Sequence, residues 1–163
     1  MNDDTQRIVH IHIDNPGVVR YHPDVERELQ VAVYDLVEDN SFQPDADHFG
    51  LVPAGPYILT LSIVENRLNF LIADQGVGDI GTVTVPLTPF RKIIKDYFIV
   101  CESYYAAIRS ATPSQIEAID MGRRGLHNEG SERLLGQLAG RVEVNHDTAR
   151  RLFTLICALH IRK

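Results

Sequence analysis

Residues 57–73 read Y-I-L-T-L-S-I-V-E-N-R-L-N-F-L-I-A. Two apolar runs, Tyr57–Val64 and Arg67–Ala73, flank the dipeptide Glu65-Asn66. A two-residue loop pairs Val64 with Arg67, which sets Ile63 opposite Leu68, Leu61 opposite Phe70 and Leu59 opposite Ile72. These three pairs are apolar and share one face, so hydrophobic pattern and hairpin register agree. A turn at Asp74–Gly78 leads to a third strand over Ile80–Leu87, with Gly81 as the position for a bulge.

Working outward toward the N-terminus, residues 40–56 hold three prolines and no periodicity, and are expected to form a long loop. Before them the spacing of Val25, Leu29, Ala32, Val33 and Leu36 predicts an amphipathic helix from about Pro23 to Glu38. Residues 8–13, I-V-H-I-H-I, alternate as a strand, with Val9, Ile11 and Ile13 on one face and His10 and His12 on the other. Asn15-Pro16-Gly17 ends that strand with turn residues. Residues 1–7 are polar and expected to be disordered.

Toward the C-terminus the pattern becomes helical. Thr88-Pro89 starts a helix that runs to about Ser110. Phe90, Ile94, Tyr97, Cys101, Tyr104 or Tyr105, and Ile108 give it an apolar stripe five turns long, which predicts the central core helix. Thr112-Pro113-Ser114-Gln115 matches a capping box and starts another helix. That helix enters a stretch with three glycines in nine residues, Gly122, Gly125 and Gly130, each costing roughly 1 kcal/mol against alanine inside a helix. Either a break or a close backbone approach has to account for them, and a break or kink between Gly122 and Gly130 is expected. A further helical piece, Ser131–Ala139, ends at Gly140. Asn145 or Asp147 caps a last helix with Leu152, Phe153, Leu155, Ile156 and Leu159 inside. The order β-α-β-β-β-α-α-α predicts one α+β domain over 1–163, a mainly antiparallel sheet covered on one side by helices.

The chain has 163 residues, 44% of them hydrophobic and 23% charged, and a net charge of −6. That composition is ordinary for a soluble globular protein, and no apolar run approaches the ~20 residues of a membrane helix. The polar, acidic first residues match no secretory signal, so the expected location is cytoplasmic. Cys101 and Cys157 sit in apolar helical patterns and read as buried thiols. Residues 1–50 hold eleven Asp and Glu against three Arg, whereas residues 121–163 hold eight Arg and Lys against four acids. An acidic front and a basic back do not suit a nucleic-acid binder. They do suit a local anion site in the C-terminal half, and complementary surfaces of a homo-oligomer.

The stretch I-E-A-I-D-M-G-R-R-G-L-H-N-E-G at 116–130 carries the main candidate site. Arg123 and Arg124 suit an anion, with Gly125 and Asn128 letting backbone approach it. His127 and Glu129 are the nearby pair suited to proton transfer, the carboxylate orienting the imidazole. The same residues also fit a structural role. Asp120 lies three and four residues before the two arginines, the spacing of helix ion pairs, and Gly125–Gly130 fits a helix–helix turn. His10 and His12, with Asp14 on the same face, are weak metal candidates, since two imidazoles fall one short of the three protein ligands a catalytic zinc needs. His22, His48, His127, His146 and His160 supply a third only through the fold. Arg150-Arg151 opens the last helix at the end that disfavours cations, which suggests pairing with an acid or an anion.

The runs G-P-Y-I-L-T-L-S-I at 55–63, P-F-R-K-I-I-K-D-Y-F-I-V-C-E-S-Y-Y at 89–105, S-Q-I-E-A-I-D-M-G-R-R-G-L-H-N-E-G at 114–130 and D-T-A-R-R-L-F-T-L-I-C-A-L-H at 147–160 together resemble the bacterial Uncharacterised Protein Family 0262. The resemblance implies a small bacterial cytoplasmic domain and brings no catalytic residue, cofactor or substrate with it. Two functions stand from the residues themselves. One is a non-enzymatic binding or regulatory module with an anion-binding patch around 120–130, its partner a small anionic ligand or a protein. The alternative is a small enzyme acting on an anionic metabolite, with His127 and Glu129 as its acid–base pair.

Overall fold

The computed structural model describes residues 5–14 and 23–160. The hairpin forms in the expected register, with Ile63 facing Leu68, Leu61 facing Phe70 and Leu59 facing Ile72 between β3 (Tyr57–Val64) and β4 (Arg67–Asp74). Its loop places Glu65 and Asn66 at φ of 53° and 61°, the left-handed pair of a type I′ turn, whose sense matches the twist of the strands. Glutamate is a poor occupant of that region. Glu65→Asn is expected to stabilise the fold by up to about 1 kcal/mol, read as a higher urea midpoint at unchanged slope.

The third strand, β5 (Gly78–Pro86), pairs with β4 and shifts register beside Ile80, between Asp79 and Gly81. Gly81 has its own reason: a Cβ there would lie 2.7 Å from the Phe49 ring, so the ring covers bare backbone. The turn before β5 is held by Asp74, whose carboxylate accepts the N–H groups of Gly76 (2.7 Å), Val77 (3.0 Å) and Gly55 (3.0 Å).

The fourth strand makes the sheet mixed rather than antiparallel throughout. In the order β1-β3-β4-β5, β1 (Ile8–Ile13) runs parallel to β3. A parallel neighbour needs a crossover, which α1 (Pro23–Glu38) supplies. A register shift between Ile8 and His10 corrects the simple alternation of this strand. Ile11 and Ile13 keep the inner face, but Ile8, not Val9, is the fully buried residue ahead of them, because an extra residue reverses the alternation. Asn40 clamps strand to helix, accepting from the Ile8 amide (2.7 Å) and donating to the carbonyls of Ile8 (2.9 Å) and Leu36 (2.8 Å). The turn expected at Asn15-Pro16-Gly17 lies outside the described residues.

Two segments expected to lack structure carry some. Residues 40–56 contain β2 (Gln43–Pro44) and a single helical turn, α2 (Ala46–Phe49), capped by the Asp45 carboxylate. Arg7, in the tail expected to be disordered, donates to the Val37 carbonyl at the end of α1 (2.6 Å).

After one 3-10 turn (Thr88–Phe90) come α3 (Arg91–Ser110), α4 (Pro113–Leu138), β6 (Val142–Glu143) and α5 (His146–His160). β6 pairs with β2. Thr88 does not cap α3 with its side chain; its hydroxyl accepts from Asn66 instead. The Thr112–Gln115 capping box forms, and Asn145 rather than Asp147 caps α5 through the Thr148 amide (2.8 Å).

Three expectations about the helices are corrected. The helix from Pro113 does not break at the glycines: α4 is continuous to Leu138. The central helix is α5, whose Leu152, Phe153, Leu155, Ile156 and Leu159 are all buried against α1 and α4. In α3, Ile93, Ile94 and Ala107 are the buried residues, while Cys101 is only half-buried and Tyr105 and Ile108 are exposed. The stripe that looks like core over five turns joins the hydrophobic core only along its first part.

Candidate functional site

That uncovered part of α3 forms one wall of a cleft of about 720 Å³. Tyr97, Phe98, Cys101, Glu102, Tyr104 and Tyr105 contribute from α3, Arg123 from α4, and Arg27, Val31, Ala32 and Asp35 from α1. The floor is α5, where Thr154, Cys157 and Ala158 fall at successive positions of one face. All three floor side chains are small, and so is Ala32. The space exists because the residues that could fill it are short.

The continuity of α4 decides what reaches this cleft. Successive helix residues turn by about 100°, so Arg123, His127, Gly130, Ser131, Leu134 and Leu138 line one side and face inward; all but Arg123 are buried. Arg123 is the hub of the group. Its Nε and Nη2 donate to the Asp120 carboxylate at 3.1 and 2.6 Å, and its guanidinium lies 5.2 Å from the Tyr104 ring centre. Burial works against its charge, but the hydrogen bonds to Asp120 and the nearby Tyr97 phenol outweigh that and raise its pKa. Asp120 also pairs with Arg124 at 3.0 Å. Hydrogen bonding from Arg123 holds the Asp120 carboxyl below the usual carboxylate range.

His127 sits behind Arg123, between the rings of Tyr97 (5.7 Å between centres) and Phe153 (5.3 Å). Its Nε2 is 2.7 Å from Thr154 Oγ1. Thr154 Oγ1 also lies 3.2 Å from the Arg150 carbonyl. A hydroxyl donating to that carbonyl must accept from histidine, which puts the ring proton on Nε2. Nδ1 is buried and has no hydrogen-bond partner among the described residues. Burial first, then the charges of Arg150 and Arg123, push the His127 pKa down to about 4. Burial likewise raises the Tyr97 phenol and the Cys157 thiol above their ordinary values, so both stay protonated at neutral pH.

The other expected site residues go elsewhere. Glu129, roughly 200° around the helix from His127, is exposed and reaches Arg133 at 3.9 Å. Arg124, Gly125 and Asn128 are exposed, and Asn128 accepts a hydrogen bond from Arg150. Arg151 pairs with Asp39, 3.8 Å from its carboxylate and 3.0 Å from its carbonyl. Of Gly122, Gly125 and Gly130, the last has a packing reason, since a Cβ there would lie 2.2 Å from Phe153 Cζ. His10 and His12 are exposed with ring centres 6.4 Å apart, and no group of three metal-ligating side chains gathers among the described residues. His22 and the side chain of His160 lie outside them. Among the described helices none is long and apolar enough to cross a membrane.

Residues 5–162 match the model of an uncharacterised protein family, UPF0262. The chain belongs to UPF0262. It is 56% identical over 157 residues to the UPF0262 protein of Chelativorans sp. strain BNC1, covering 96% of this chain and 94% of that one. The UPF0262 proteins of Brucella anthropi and Brucella canis are each 55% identical over 156 residues, with the same coverage. No solved structure matches this UPF0262 chain. The family description names no activity, so the chemistry rests on the cleft.

Proposed function

We propose that this UPF0262 protein is a non-catalytic binding module. Its ligand is a small molecule with an apolar or aromatic body and an anionic group, seated in the cleft with the anion toward Arg123. One observation carries this reading: the half of the α3 stripe that a core would cover faces an open cleft instead. A volume of about 720 Å³ lies within the range of roughly 300–1,000 Å³ typical of ligand pockets, which are mostly apolar with a few placed polar groups. Tyr97, Phe98 and Tyr104 offer aromatic surface to such a body. Asp120 shares one negative charge between Arg123 and Arg124, so it does not fully neutralise Arg123. The cleft lining also holds Arg27 and the acids Asp35 and Glu102, which makes the anion site local to Arg123 rather than a net positive cleft. The divergence of His127 and Glu129 removes support from the acid–base alternative, since a base needs its orienting partner within hydrogen-bond reach.

Anilinonaphthalene sulfonate, an anionic aromatic fluorophore, is a direct probe. It is expected to bind the natively folded protein saturably, with near-UV circular dichroism unchanged. Arg123→Met should weaken that binding at least about tenfold, since a charge-assisted contact is worth on the order of 1.5–3 kcal/mol. Absence of saturable binding, or equal affinity in the variant, would count against the site.

A further inference from the structure

The outward face of α1 has a symmetry that the cleft does not require. Arg27, Val31, Tyr34 and Glu38 lie within one narrow strip at helical spacing, on the side of α1 opposite the buried Leu29, Ala32 and Leu36. All four are exposed, Val31 at 51% and Tyr34 at 65%. Arg27 and Glu38 are equidistant from the point between Ala32 and Val33, and so are Val31 and Tyr34. The strip is therefore its own complement when reversed. Arg27 is also the sole basic residue between Pro23 and Glu38, and it stands on this strip at the end opposite Glu38.

We propose that this face of α1 is the two-fold interface of a homodimer, a second copy's α1 packing antiparallel against it. With the axis between Ala32 and Val33, Arg27 meets the second copy's Glu38 and Val31 meets its Tyr34, and each contact occurs twice. An isologous interface has to be self-complementary in this way. The apolar pair lies at the centre and the ion pairs at the rim, the usual anatomy of an interface. The register also answers an objection from charge. Two acidic front halves repel at long range, and the two Arg27–Glu38 pairs place each copy's one α1 cation against an acid. Val31 continues this face into the lip of the cleft, and Tyr105 and Ile108, each 52% exposed on α3, extend the apolar surface across it. The interface is of the small, reversible class, with dissociation expected in the micromolar range. Arg27 and Val31 also line the cleft, whereas Tyr34 and Glu38 do not, so substitution of Glu38 tests the dimer separately from the ligand reading.

Sedimentation velocity on the full chain, at protein concentrations from about 1 to 100 µM, tests the register. The wild type is expected to move from monomer to dimer over that range. Arg27→Glu and Glu38→Arg should each weaken dimerisation at least tenfold, with the melting temperature of the monomer unchanged because both side chains are exposed. The double variant R27E/E38R restores both pairs with reversed polarity and should regain the wild-type equilibrium. A wild type that stays monomeric throughout overturns the proposal. So does a dimer indifferent to both single substitutions, or a double variant no better than either single one.

Discussion

Gly130→Ala is expected to lower the stability of this protein by about 2–3 kcal/mol, a fall of roughly 4–12 °C in melting temperature. Alanine at an ordinary helical position would instead stabilise by up to about 1 kcal/mol. The sign reverses because the added Cβ would stand 2.2, 2.3 and 2.6 Å from three carbons of the Phe153 ring. That ring is fully buried and packs edge-on against both Tyr97 and His127, so a shift of the ring disturbs those contacts. Gly122 and Gly125 supply the control. A Cβ at either meets nothing within 4 Å, so Gly122→Ala and Gly125→Ala should each stabilise by up to about 1 kcal/mol. In a turn with left-handed glycines the same two changes would destabilise. Phe153→Leu should relieve part of the Gly130→Ala penalty, read as a favourable coupling in a double-mutant cycle. A neutral Gly130→Ala, or a destabilising pair at 122 and 125, would sink the continuous α4.

The contrast shows which parts of the fold can be read without coordinates. The hairpin register is legible because two constraints coincide: a two-residue loop fixes the pairing, and the pairing puts Leu59, Leu61 and Ile63 opposite apolar partners. The parallel β1 is not legible from its own alternation, because strand direction is set by how α1 crosses the sheet. The continuity of α4 escapes for a different reason. Its inward side starts with Ile116 and Ile119 but then runs Arg123, His127, Gly130 and Ser131 before it reaches Leu134 and Leu138, so the middle of the helix carries no apolar period to offset its glycines. Tertiary packing on α3 and α5 then overrides propensity, as it can wherever a helix is held from outside.

The cleft is legible only in part. Arg123 and His127 stand out by residue type, and their spacing of four places them on one side of any continuous helix. Glu129 then cannot join them, and the proton-transfer pair depends on the break that does not occur. Tyr97, Cys101 and Tyr104 look like core because periodicity reports which side of a helix is apolar and is silent on whether anything covers it. Thr154 carries the one cue that was available, a hydroxyl inside the otherwise apolar pattern of α5, opposite the only buried histidine among the described residues. The floor formed by Thr154, Cys157 and Ala158 makes sense only once α1 and α3 are seen to stand apart.

The second large effect belongs to His127. Its folded pKa of about 4 lies below the ordinary 6.5, so on acidification the unfolded chain takes up a proton before the folded one does. Stability from this residue is therefore complete above pH 6.5. It is lost as pH falls toward 4 and changes no further below that. The full shift, discounted for solvent screening, corresponds to about 2 kcal/mol. The geometry explains the reluctance to charge. Nε2 is already committed to Thr154, so the incoming proton must go to Nδ1, which is buried without an acceptor while Arg150 and Arg123 add their own positive charge. Urea unfolding at pH 7, 5.5 and 4 should show the wild type losing this increment relative to His127→Leu, which carries no titrating ring and serves to subtract the carboxylates common to both. Parallel profiles would mean that His127 takes its proton equally in both states. A neutral His127 at pH 7 has a consequence for the cleft: it contributes no positive charge, so an anion bound there depends on the lining arginines, Arg123 and Arg27, and the two side chains that sequence spacing joins do different work.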